Sequence, residues 1–330
     1  MSKLWKVVIP DRVKGPAEIE ESISQGRAEI ICLGAHQNNE LRGKIEDAHA
    51  ILAWHDLRWD AETLSSLKQC KVLVRVGAGF DNVDLDSARK LGIVISNVPD
   101  YGTNDVADHA IGLLLALARG LIGHDRQSKS GPEKWAWGLT PTFRLTGKKL
   151  GIVGLGRIGT ATALRAKSLG LEVGFYDPYK PSGWEKSLSL KRFSTLEELA
   201  KNVFIVSLHT PLTPETRGFI DQKFWASTQK GVVLINTARG PILNWQDFKK
   251  YFESGQIGSA GFDVLPQEPP DLNEAFFKQW LKDDSLKNRL LITPHCAFYS
   301  DEAVVEMREK AMREALRVLS GEKPLNQVNG

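Results

Sequence analysis

Short apolar runs alternate with amphipathic stretches along most of the chain. The first runs, each bounded by glycine or polar residues, predict buried strands at 6–9, 28–33, 50–54, 72–76 and 94–96. Between them, segments such as 61–67 and 85–91 carry apolar residues at helical spacing. Strands that alternate with helices predict a parallel sheet that is covered by helices on both faces.

A second series follows a long helical segment at 105–129, for which Thr103 or Asn104 is a suitable N-cap. Its strands are predicted at 149–153, 172–176, 203–208, 232–236, 258–263 and 290–293, and a final helix at 303–319 ends before Gly321. Pro99, Gly102 and polar neighbours mark a boundary near 100–104. The pattern therefore predicts an α/β protein with two doubly wound parallel-sheet domains.

Composition narrows the class of protein further. The 330 residues carry a formal net charge of +3, which gives no electrostatic case for direct binding of nucleic acid or a membrane surface. The longest apolar stretch is far shorter than the roughly 20 residues that span a bilayer, and the N-terminus has the pattern of a strand rather than a signal peptide. A cytoplasmic location is therefore expected. Cys32, Cys70 and Cys296 lie far apart and in no metal-ligand spacing, so no metal site is predicted.

A glycine-rich turn follows the strand at 149–153 and opens the next helix; it reads Gly154-Leu155-Gly156-Arg157-Ile158-Gly159. The first glycine permits the tight turn, the second lets the backbone approach a pyrophosphate, and the third lets helix and strand pack closely. The helix N-terminus adds partial positive charge for phosphate groups. This context predicts a dinucleotide site, although a turn that binds nothing, a flavin or another nucleotide remain as alternatives.

Asp177 ends the strand that follows this helix, close to the spacing of about 20 residues at which an acidic side chain contacts the adenosine ribose. Its carboxylate would accept hydrogen bonds from the ribose hydroxyls and repel a 2′-phosphate. NAD is therefore the predicted cofactor, with NADH preferred over NADPH. Lys180 lies nearby and would tolerate the extra phosphate, which leaves NADPH open.

Three residues with suitable chemistry for carbonyl reduction follow predicted strands of the second series: Arg239, Glu268 and His295. The carboxyl ends of parallel strands are where ligands bind in open α/β sheets. A histidine can give a proton to a carbonyl oxygen, and a carboxylate on its other nitrogen fixes the tautomer. An arginine can bind a substrate carboxylate and polarise the neighbouring carbonyl. The set predicts hydride transfer to C2 of a small 2-oxo acid, or from the corresponding 2-hydroxy acid.

Several ordered motifs extend the comparison to the whole chain: Val74-Arg75-Val76-Gly77-Ala78-Gly79-Phe80-Asp81-Asn82, the glycine-rich turn, His209-Thr210-Pro211-Leu212-Thr213, Asn236-Thr237-Ala238-Arg239-Gly240, Gly261-Phe262-Asp263-Val264 and Thr293-Pro294-His295. With them, the chain resembles the D-isomer-specific 2-hydroxyacid dehydrogenase family along nearly its whole length. Segments 175–179, 299–302 and 306–309 are most similar to the C-terminal-binding-protein branch of that family.

The resemblance implies a role for each matching residue. Arg239, Glu268 and His295 match the catalytic residues, and the backbone of Gly77, Ala78 and Gly79 matches the loop that binds the substrate carboxylate, with Arg75 beside it. Positions that match the cofactor lining, besides the glycine-rich turn and Asp177, are Val106, Thr210, Pro211, Thr237, Ala238, Asp263 and Ala297.

The resemblance also implies the domain organisation. A flavodoxin-like substrate domain would comprise 1–103 and 296–330, and a Rossmann NAD domain would comprise 104–295, with the active site in a cleft between them. A homodimer through the NAD domain is expected.

Four features depart from the family pattern or leave the function open. Phe298 stands where the branch has a tryptophan and would shape the substrate pocket, and Cys296 is either a packing residue or a redox-sensitive thiol. The segment 270–289 is longer than usual and is either a lid near Glu268 or a surface helix. His55 ends a predicted strand and would contact substrate or serve the fold. The rival function is an NAD(H)-sensing, corepressor-like binding protein with little catalytic activity.

Overall fold

The computed structural model describes residues 4–138 and 140–330, so the first three residues of the predicted substrate domain and residue 139 of the predicted NAD domain lie outside the described residues. The chain divides into two compact units. The first contains the described residues up to Gly102 together with Tyr299–Gly330, and the second is Thr103–Phe298. The predicted divisions at 103/104 and 295/296 lie one and three residues from these points.

The first unit is built on one parallel sheet. Its strands are β1 (Trp5–Ile9), β2 (Ala28–Cys32), β3 (Ala50–Ala53), β4 (Val72–Arg75) and β5 (Val94–Asn97), in the order β2-β1-β3-β4-β5. Its helices are α1 (Glu18–Ser24), α2 (Ala61–Ser66), α3 (Leu85–Lys90) and the C-terminal helix (Asp301–Leu319), with a 3₁₀ turn at Asn38–Leu41. This is the flavodoxin-like strand order. The central strands β3 and β4 are buried throughout, as their unbroken apolar runs predict.

The second unit contains a larger parallel sheet. Its strands are β6 (Lys149–Val153), β7 (Glu172–Tyr176), β8 (Lys191–Arg192), β9 (Ile205–Leu208), β10 (Val232–Asn236), β11 (Ile257–Phe262) and β12 (Leu290–Ile292). They are ordered β12-β11-β10-β9-β6-β7-β8, so the strand order reverses between β6 and β9. In doubly wound sheets that reversal opens a crevice at the carboxyl ends of the strands, where dinucleotides bind. The predicted fold class is confirmed for both units.

The helices of the second unit are α4 (Thr103–Ala118), α5 (Leu121–Ser128), α6 (Arg157–Ser168), α7 (Trp184–Leu188), α8 (Leu196–Asn202), α9 (Gln222–Ser227), α10 (Trp245–Glu253), α11 (Ala275–Lys282) and α12 (Asp284–Arg289), with 3₁₀ turns at Pro132–Lys134 and Gly240–Ile242. Several begin at a side-chain cap. Thr195, Asp221 and Asn244 accept hydrogen bonds from the first-turn amides of α8, α9 and α10.

The long helix predicted at 105–129 is in fact two helices. Gly120 adopts a left-handed conformation (φ 60°), and the axes of α4 and α5 are bent by 58° at this break. A Cβ atom at Gly120 would lie 2.6 Å from Cγ2 of Thr140, so the break requires glycine. No single helix in the described ranges is long and apolar enough to cross a membrane, and α4 with α5 passes that test only as this bent pair.

The segment 270–289, predicted as either a lid or a surface helix, contains α11 and α12. Phe276 and Phe277 of α11 are buried and belong to the core of the second unit. The ring of Phe277 stacks 6.1 Å from that of Trp245 in α10. The segment is therefore anchored to the core by aromatic packing, which supports the helix interpretation.

Candidate active site

Glu268 and His295 form a hydrogen-bonded pair at the edge of the second sheet where β11 and β12 end. Nδ1 of His295 lies 2.7 Å from Oε2 of Glu268, and Oε1 of Glu268 accepts the N–H group of Leu265 at 2.8 Å. His295 has a left-handed backbone (φ 53°), and its N–H group donates to the carbonyl of Asp263 at 2.8 Å. Backbone and side chain of the histidine are thus both fixed by the loop that follows β11.

The charge state of Glu268 decides which tautomer the His295 ring adopts. Burial raises the pKa of Glu268, whereas the hydrogen bond to His295 and the charge of that ring lower it. The Leu265 N–H group and the charge of Arg239 act in the same direction, so the pKa lies below its usual range. An ionised carboxylate can only accept, so the proton between the two side chains belongs to Nδ1. Nε2 is then the nitrogen that can gain and lose a proton.

Arg239 follows β10 in a turn that is shaped by the buried side chain of Asn236. That amide accepts the Ala238 N–H group at 3.0 Å and donates to the Arg239 carbonyl at 3.0 Å. A Cβ atom at Gly240 would lie 2.0 Å from the carbonyl carbon of Leu265, so this turn packs directly on the loop that leads to Glu268. The structure therefore brings the three predicted catalytic residues to one edge of the second unit.

Asp263 organises the turn that carries His295. Its buried carboxylate accepts the hydroxyl of Thr293 at 2.6 Å and the N–H groups of Cys296 and Ala297, each at 2.9 Å. Nε2 of His109, in α4, lies 2.9 Å from Oγ1 of Thr293. Thr293 and His109 were not predicted as site residues, since the contact joins positions that share no local pattern.

The glycine-rich turn has the shape that a pyrophosphate requires. Gly154 has φ 90°, and a Cβ there would lie 2.9 Å from the carbonyl carbon of His209. A Cβ at Gly159 would lie 2.1 Å from the carbonyl oxygen of Gly154, whereas nothing lies within 4 Å of one at Gly156. Gly156 is the N-cap of α6 and supplies no side-chain hydrogen bond to its first turn. The open space therefore faces the helix N-terminus, where backbone N–H groups bind anions.

Two residues of the same motif, Arg157 and Ile158, begin α6; the first is exposed and the second half-buried. Asp177 lies at the end of β7, half-buried, and connects that strand to the turn. Its Oδ2 accepts the Leu155 N–H group at 2.8 Å, and its Oδ1 accepts that of Tyr179 at 2.9 Å. The residues fit a dinucleotide: a glycine cradle for phosphates and an acidic side chain at the end of the second strand. NAD would supply hydride chemistry at this site.

The remaining predicted cofactor positions, Val106 excepted, follow strands of the second sheet: Thr210 and Pro211 follow β9, Thr237 and Ala238 follow β10, and Asp263 and Ala297 follow β11 and β12. Val106 lies in the first turn of α4. The hydroxyl oxygens of Thr210 and Thr237 are buried and have no hydrogen-bond partner within the described residues. Unsatisfied buried polar atoms of this kind are expected where a bound ligand completes a site.

In the first unit, the loop after β4 carries the residues that are predicted to bind the substrate carboxylate. The carbonyls of Gly77 and Ala78 accept the Val98 N–H group at 3.1 Å and the Asn97 side-chain amide at 2.7 Å. Among the described residues, no acceptor pairs with the N–H groups of Ala78 and Gly79. Two such amides in one loop are available to an anion, so the contact with a substrate carboxylate stays a prediction that this loop can accommodate.

Arg75 is buried beneath this loop. Its guanidinium donates to the Val76 carbonyl, and a Cβ atom at Gly77 (φ 145°) would lie 2.5 Å from Nη1. Asp11 is fully buried and accepts the N–H groups of Trp54 and Asp56 at 3.0 and 3.1 Å. Burial raises the pKa of Asp11, although the charge of Arg75 acts in the opposite direction.

His55 belongs to the same edge of the first sheet. Its Nε2 lies 2.8 Å from Nη2 of Arg12, and an arginine can only donate, so Nε2 accepts. Nε of Arg12 also lies 2.8 Å from Oδ2 of Asp56. The sequence analysis did not predict Arg12 as a site residue. Arg12 follows β1 just as His55 follows β3, so its position after a strand could have indicated it.

Phe298 and Cys296 lie in the second unit, next to the His295 turn. The ring of Phe298 is 6.4 Å from that of His295 in an edge-on arrangement. Burial, together with the Asp263 carboxylate, raises the pKa of the Cys296 thiol, which favours a packing residue over a redox-sensitive one. The predicted substrate-binding residues thus divide between the two units, and the cleft between domains stays a prediction.

Comparison with known proteins identifies the family. Residues 111–297 match the family model for the NAD binding domain of D-isomer specific 2-hydroxyacid dehydrogenases. A glyoxylate reductase from Korarchaeum cryptofilum is 33% identical over 288 residues, which are 87% of this chain and 84% of that protein.

Two solved structures superimpose over nearly the whole chain. A glyoxylate reductase from Paecilomyes thermophila has a TM-score of 0.86 at 26% identity, covering 98% of each chain. A D-lactate dehydrogenase from Aquifex aeolicus, solved with NAD and lactic acid, has a TM-score of 0.83 at 25% identity, covering 98% of this chain and 99% of that one. The similarity to the C-terminal-binding-protein branch stays a prediction. The chain belongs to the D-isomer specific 2-hydroxyacid dehydrogenase family and is an NAD-dependent oxidoreductase that acts on the CH–OH group of a 2-hydroxy acid.

Proposed function

We propose that the chain works mainly as a reductase of a small 2-oxo acid, with glyoxylate as the first candidate and NADH as the reductant. The observation that carries this proposal is the Glu268–His295 pair, with 2.7 Å between Oε2 and Nδ1, at the edge where β11 and β12 end. The similarity to glyoxylate reductases supports a small substrate.

The chain's own residues handle the proton and the carboxylate, while bound NADH supplies a hydride to C2 of the substrate. His295 holds a proton at Nε2, because Nδ1 is engaged by Glu268, and gives it to the C2 oxygen in reduction. In oxidation the same nitrogen takes that proton back. Hydride on C2 and a proton on oxygen together convert the 2-oxo acid to the 2-hydroxy acid.

Arg239 binds the substrate carboxylate and polarises the C2 oxygen, since a guanidinium matches a carboxylate with two parallel hydrogen bonds. The N–H groups of Ala78 and Gly79, with the buried charge of Arg75, provide a second place for that carboxylate in the first unit. Phe298, beside the His295 ring, limits the size of the substrate's substituent.

The finer cofactor and assembly predictions belong to the same proposal. Asp177 favours NADH over NADPH, because its charge repels a 2′-phosphate.

A homodimer through the NAD domain is supported by exposed apolar side chains in the second unit, where Leu121 is 53%, Trp135 75% and Trp137 94% exposed. We also propose a cytoplasmic location. Sedimentation velocity of the full chain tests the dimer.

The substrate is tested with purified chain, NADH and a panel of 2-oxo acids: glyoxylate, hydroxypyruvate, pyruvate, 3-phosphohydroxypyruvate, and branched and aromatic members. NADH consumption gives the rates, and chiral chromatography of the products tests for the D-isomer where C2 is a stereocentre. The variant His295→Gln should keep its affinity for NADH and lose most turnover. A folded chain that binds NADH but turns over no member of the panel would contradict the proposal.

A further inference from the structure

His109, Asp263 and Cys296 come together in the second unit although they are far apart in the sequence. Nε2 of His109 lies 3.7 Å from Oδ1 of Asp263, and the ligand atoms of all three residues lie within 4.8 Å of one another. Imidazole, carboxylate and thiol are the three ligand types that zinc accepts in proteins. None of the three belongs to the proton-transfer pair, although Cys296 directly follows His295 and Asp263 is one of the predicted cofactor positions.

We propose that His109, Asp263 and Cys296 form a zinc-binding site whose occupancy inhibits turnover. A thiolate and an imidazole favour a borderline-soft cation over magnesium or calcium, which prefer oxygen ligands. Three protein ligands leave a fourth position for water, the usual arrangement of an open zinc site.

The geometry needs little adjustment to hold the ion. For three ligand atoms within 4.8 Å of one another, some point lies within about 2.8 Å of all three. Because bonds to zinc are about 2.0–2.3 Å long, shifts of the ligand atoms by about 0.5–0.8 Å complete the site. Asp263 is held in place by the Thr293 hydroxyl and the Cys296 and Ala297 N–H groups. The side chains of His109 and Cys296 are the ones that would move.

Zinc binding changes the protonation of His109 and Cys296. The hydroxyl proton of Thr293 goes to Asp263, so its oxygen accepts from Nε2 of His109 in the metal-free chain. On zinc binding, that imidazole proton moves to Nδ1 through solvent and Nε2 becomes a ligand. The Cys296 thiol loses its proton to solvent, because the thiolate is the ligand form.

One member of the cluster, His109, borders a cavity. His109 and Thr293 line a cavity of about 470 Å³ that is bounded by α4, α5, α11, α12 and β12. Its two basic residues, Arg126 and Lys287, are paired with the carboxylate of Asp284 at 3.2 and 3.0 Å. The positive charge at this cavity is therefore partly offset.

Inhibition follows from what Asp263 does without the metal. Its Oδ1 accepts the Cys296 N–H group and the Thr293 hydroxyl, and these bonds fix the turn on which His295 stands. Asp263 stays in place when zinc binds, whereas the Cys296 side chain is drawn toward the ion. Because His295 directly precedes Cys296, this movement displaces the imidazole that Glu268 orients. Catalytic groups tolerate misplacement poorly, so turnover should fall.

Zinc binding is measured by isothermal titration of ZnCl₂ into the reduced full chain, with one ion expected per chain. Cys296→Ser and His109→Gln should each weaken the affinity at least about tenfold, since loss of even an outer-shell partner costs about 10–100-fold. Cys32→Ser, which removes another half-buried thiol in the first unit, should leave it unchanged. Cobalt(II) gives a second readout: a thiolate charge-transfer band that Cys296→Ser abolishes while circular dichroism shows an intact fold.

Absence of stoichiometric binding, or equal zinc affinity in wild type and both ligand variants, would overturn the site. The inhibition rests on the proposed function, whereas the binding does not. Zinc should lower the rate of 2-oxo acid reduction in wild type, with recovery on chelation, and should lower it far less in Cys296→Ser. Binding without inhibition overturns the inhibitory role alone, and a metal-free chain that reduces no 2-oxo acid contradicts the proposed function instead.

Discussion

The two carboxylate oxygens of Glu268 contact different groups. Oε2 lies 2.7 Å from Nδ1 of His295, and Oε1 accepts the backbone N–H group of Leu265 at 2.8 Å. The acid that orients the imidazole is thereby fixed by the backbone of its own loop. Because its pKa lies below the usual range, the carboxylate is ionised at neutral pH and can stabilise the protonated ring.

The variant Glu268→Gln tests that electrostatic role, since the amide keeps the shape and one acceptor oxygen but removes the charge. We expect kcat to fall by about 10²-fold, the usual scale for loss of acid–base support. The affinity for NADH, measured by fluorescence titration, should stay within about twofold, because the glycine cradle is untouched. A kcat close to that of wild type would show that orientation without charge suffices.

Sequence patterns predict the parts of this site that lie at strand ends. The periodicity of apolar residues indicates where each strand ends, and the glycines from Gly154 onward indicate the turn that follows β6. The break at Gly120 was missed because apolar spacing continues on both sides of that glycine. The contacts of Arg12 with His55 and of His109 with Thr293 join residues far apart in sequence. Such contacts depend on the order of strands in the sheet, which periodicity does not encode.

The two later glycines of the cradle should respond differently to substitution. Gly156→Val places its side chain in open space, so the melting temperature should hardly change while the Kd for NADH rises at least about tenfold, or about 1.4 kcal/mol. Gly159→Ala puts a Cβ 2.1 Å from the Gly154 carbonyl oxygen, so it should cost about 1–3 kcal/mol of stability. Calorimetry and NADH titration separate the two effects, and equal melting temperatures for both variants would contradict this account.

Asp177→Asn tests the choice of cofactor. The amide keeps an oxygen that can accept the Leu155 N–H group, but it removes the charge that opposes a 2′-phosphate. The ratio of kcat/KM for NADPH to that for NADH should rise about tenfold or more, which corresponds to about 1.4 kcal/mol. An unchanged ratio would mean that groups other than this carboxylate set the preference.

Gly77→Ala tests the loop above Arg75. The added methyl group would lie 2.5 Å from Nη1 of Arg75 at a backbone angle that favours glycine, so the guanidinium or the loop must move. We expect KM for the 2-oxo acid to rise at least about tenfold, with NADH affinity unchanged. Gly43→Ala is the matched control, because Gly43 also has a positive φ but has nothing within 4 Å of its Cβ position. Similar KM values for the two variants would exclude a substrate role for this loop.

Acid should destabilise the protein partly through His209, which follows β9. Burial lowers the pKa of His209 to about 3, whereas the pKa of a histidine in an unfolded chain is about 6.5. Between those values only the unfolded chain binds the proton, so the free energy of unfolding rises with pH in this window. Above about pH 6.5, His209 does not reduce the free energy of unfolding. Below that pH, the free energy of unfolding falls progressively until about pH 3.

The variant His209→Gln isolates this contribution, since the amide can replace the hydrogen bond of Nε2 to Oγ of Ser207 at 2.8 Å but does not titrate. From pH 7.5 to 5.0, wild type should lose up to about 2 kcal/mol more unfolding free energy than the variant. That figure is an upper limit, because His209 retains some contact with solvent. Urea unfolding at both pH values measures the difference, in which the carboxylates common to both chains cancel. A parallel loss of stability in the two proteins would show that His209 does not titrate on unfolding in this range.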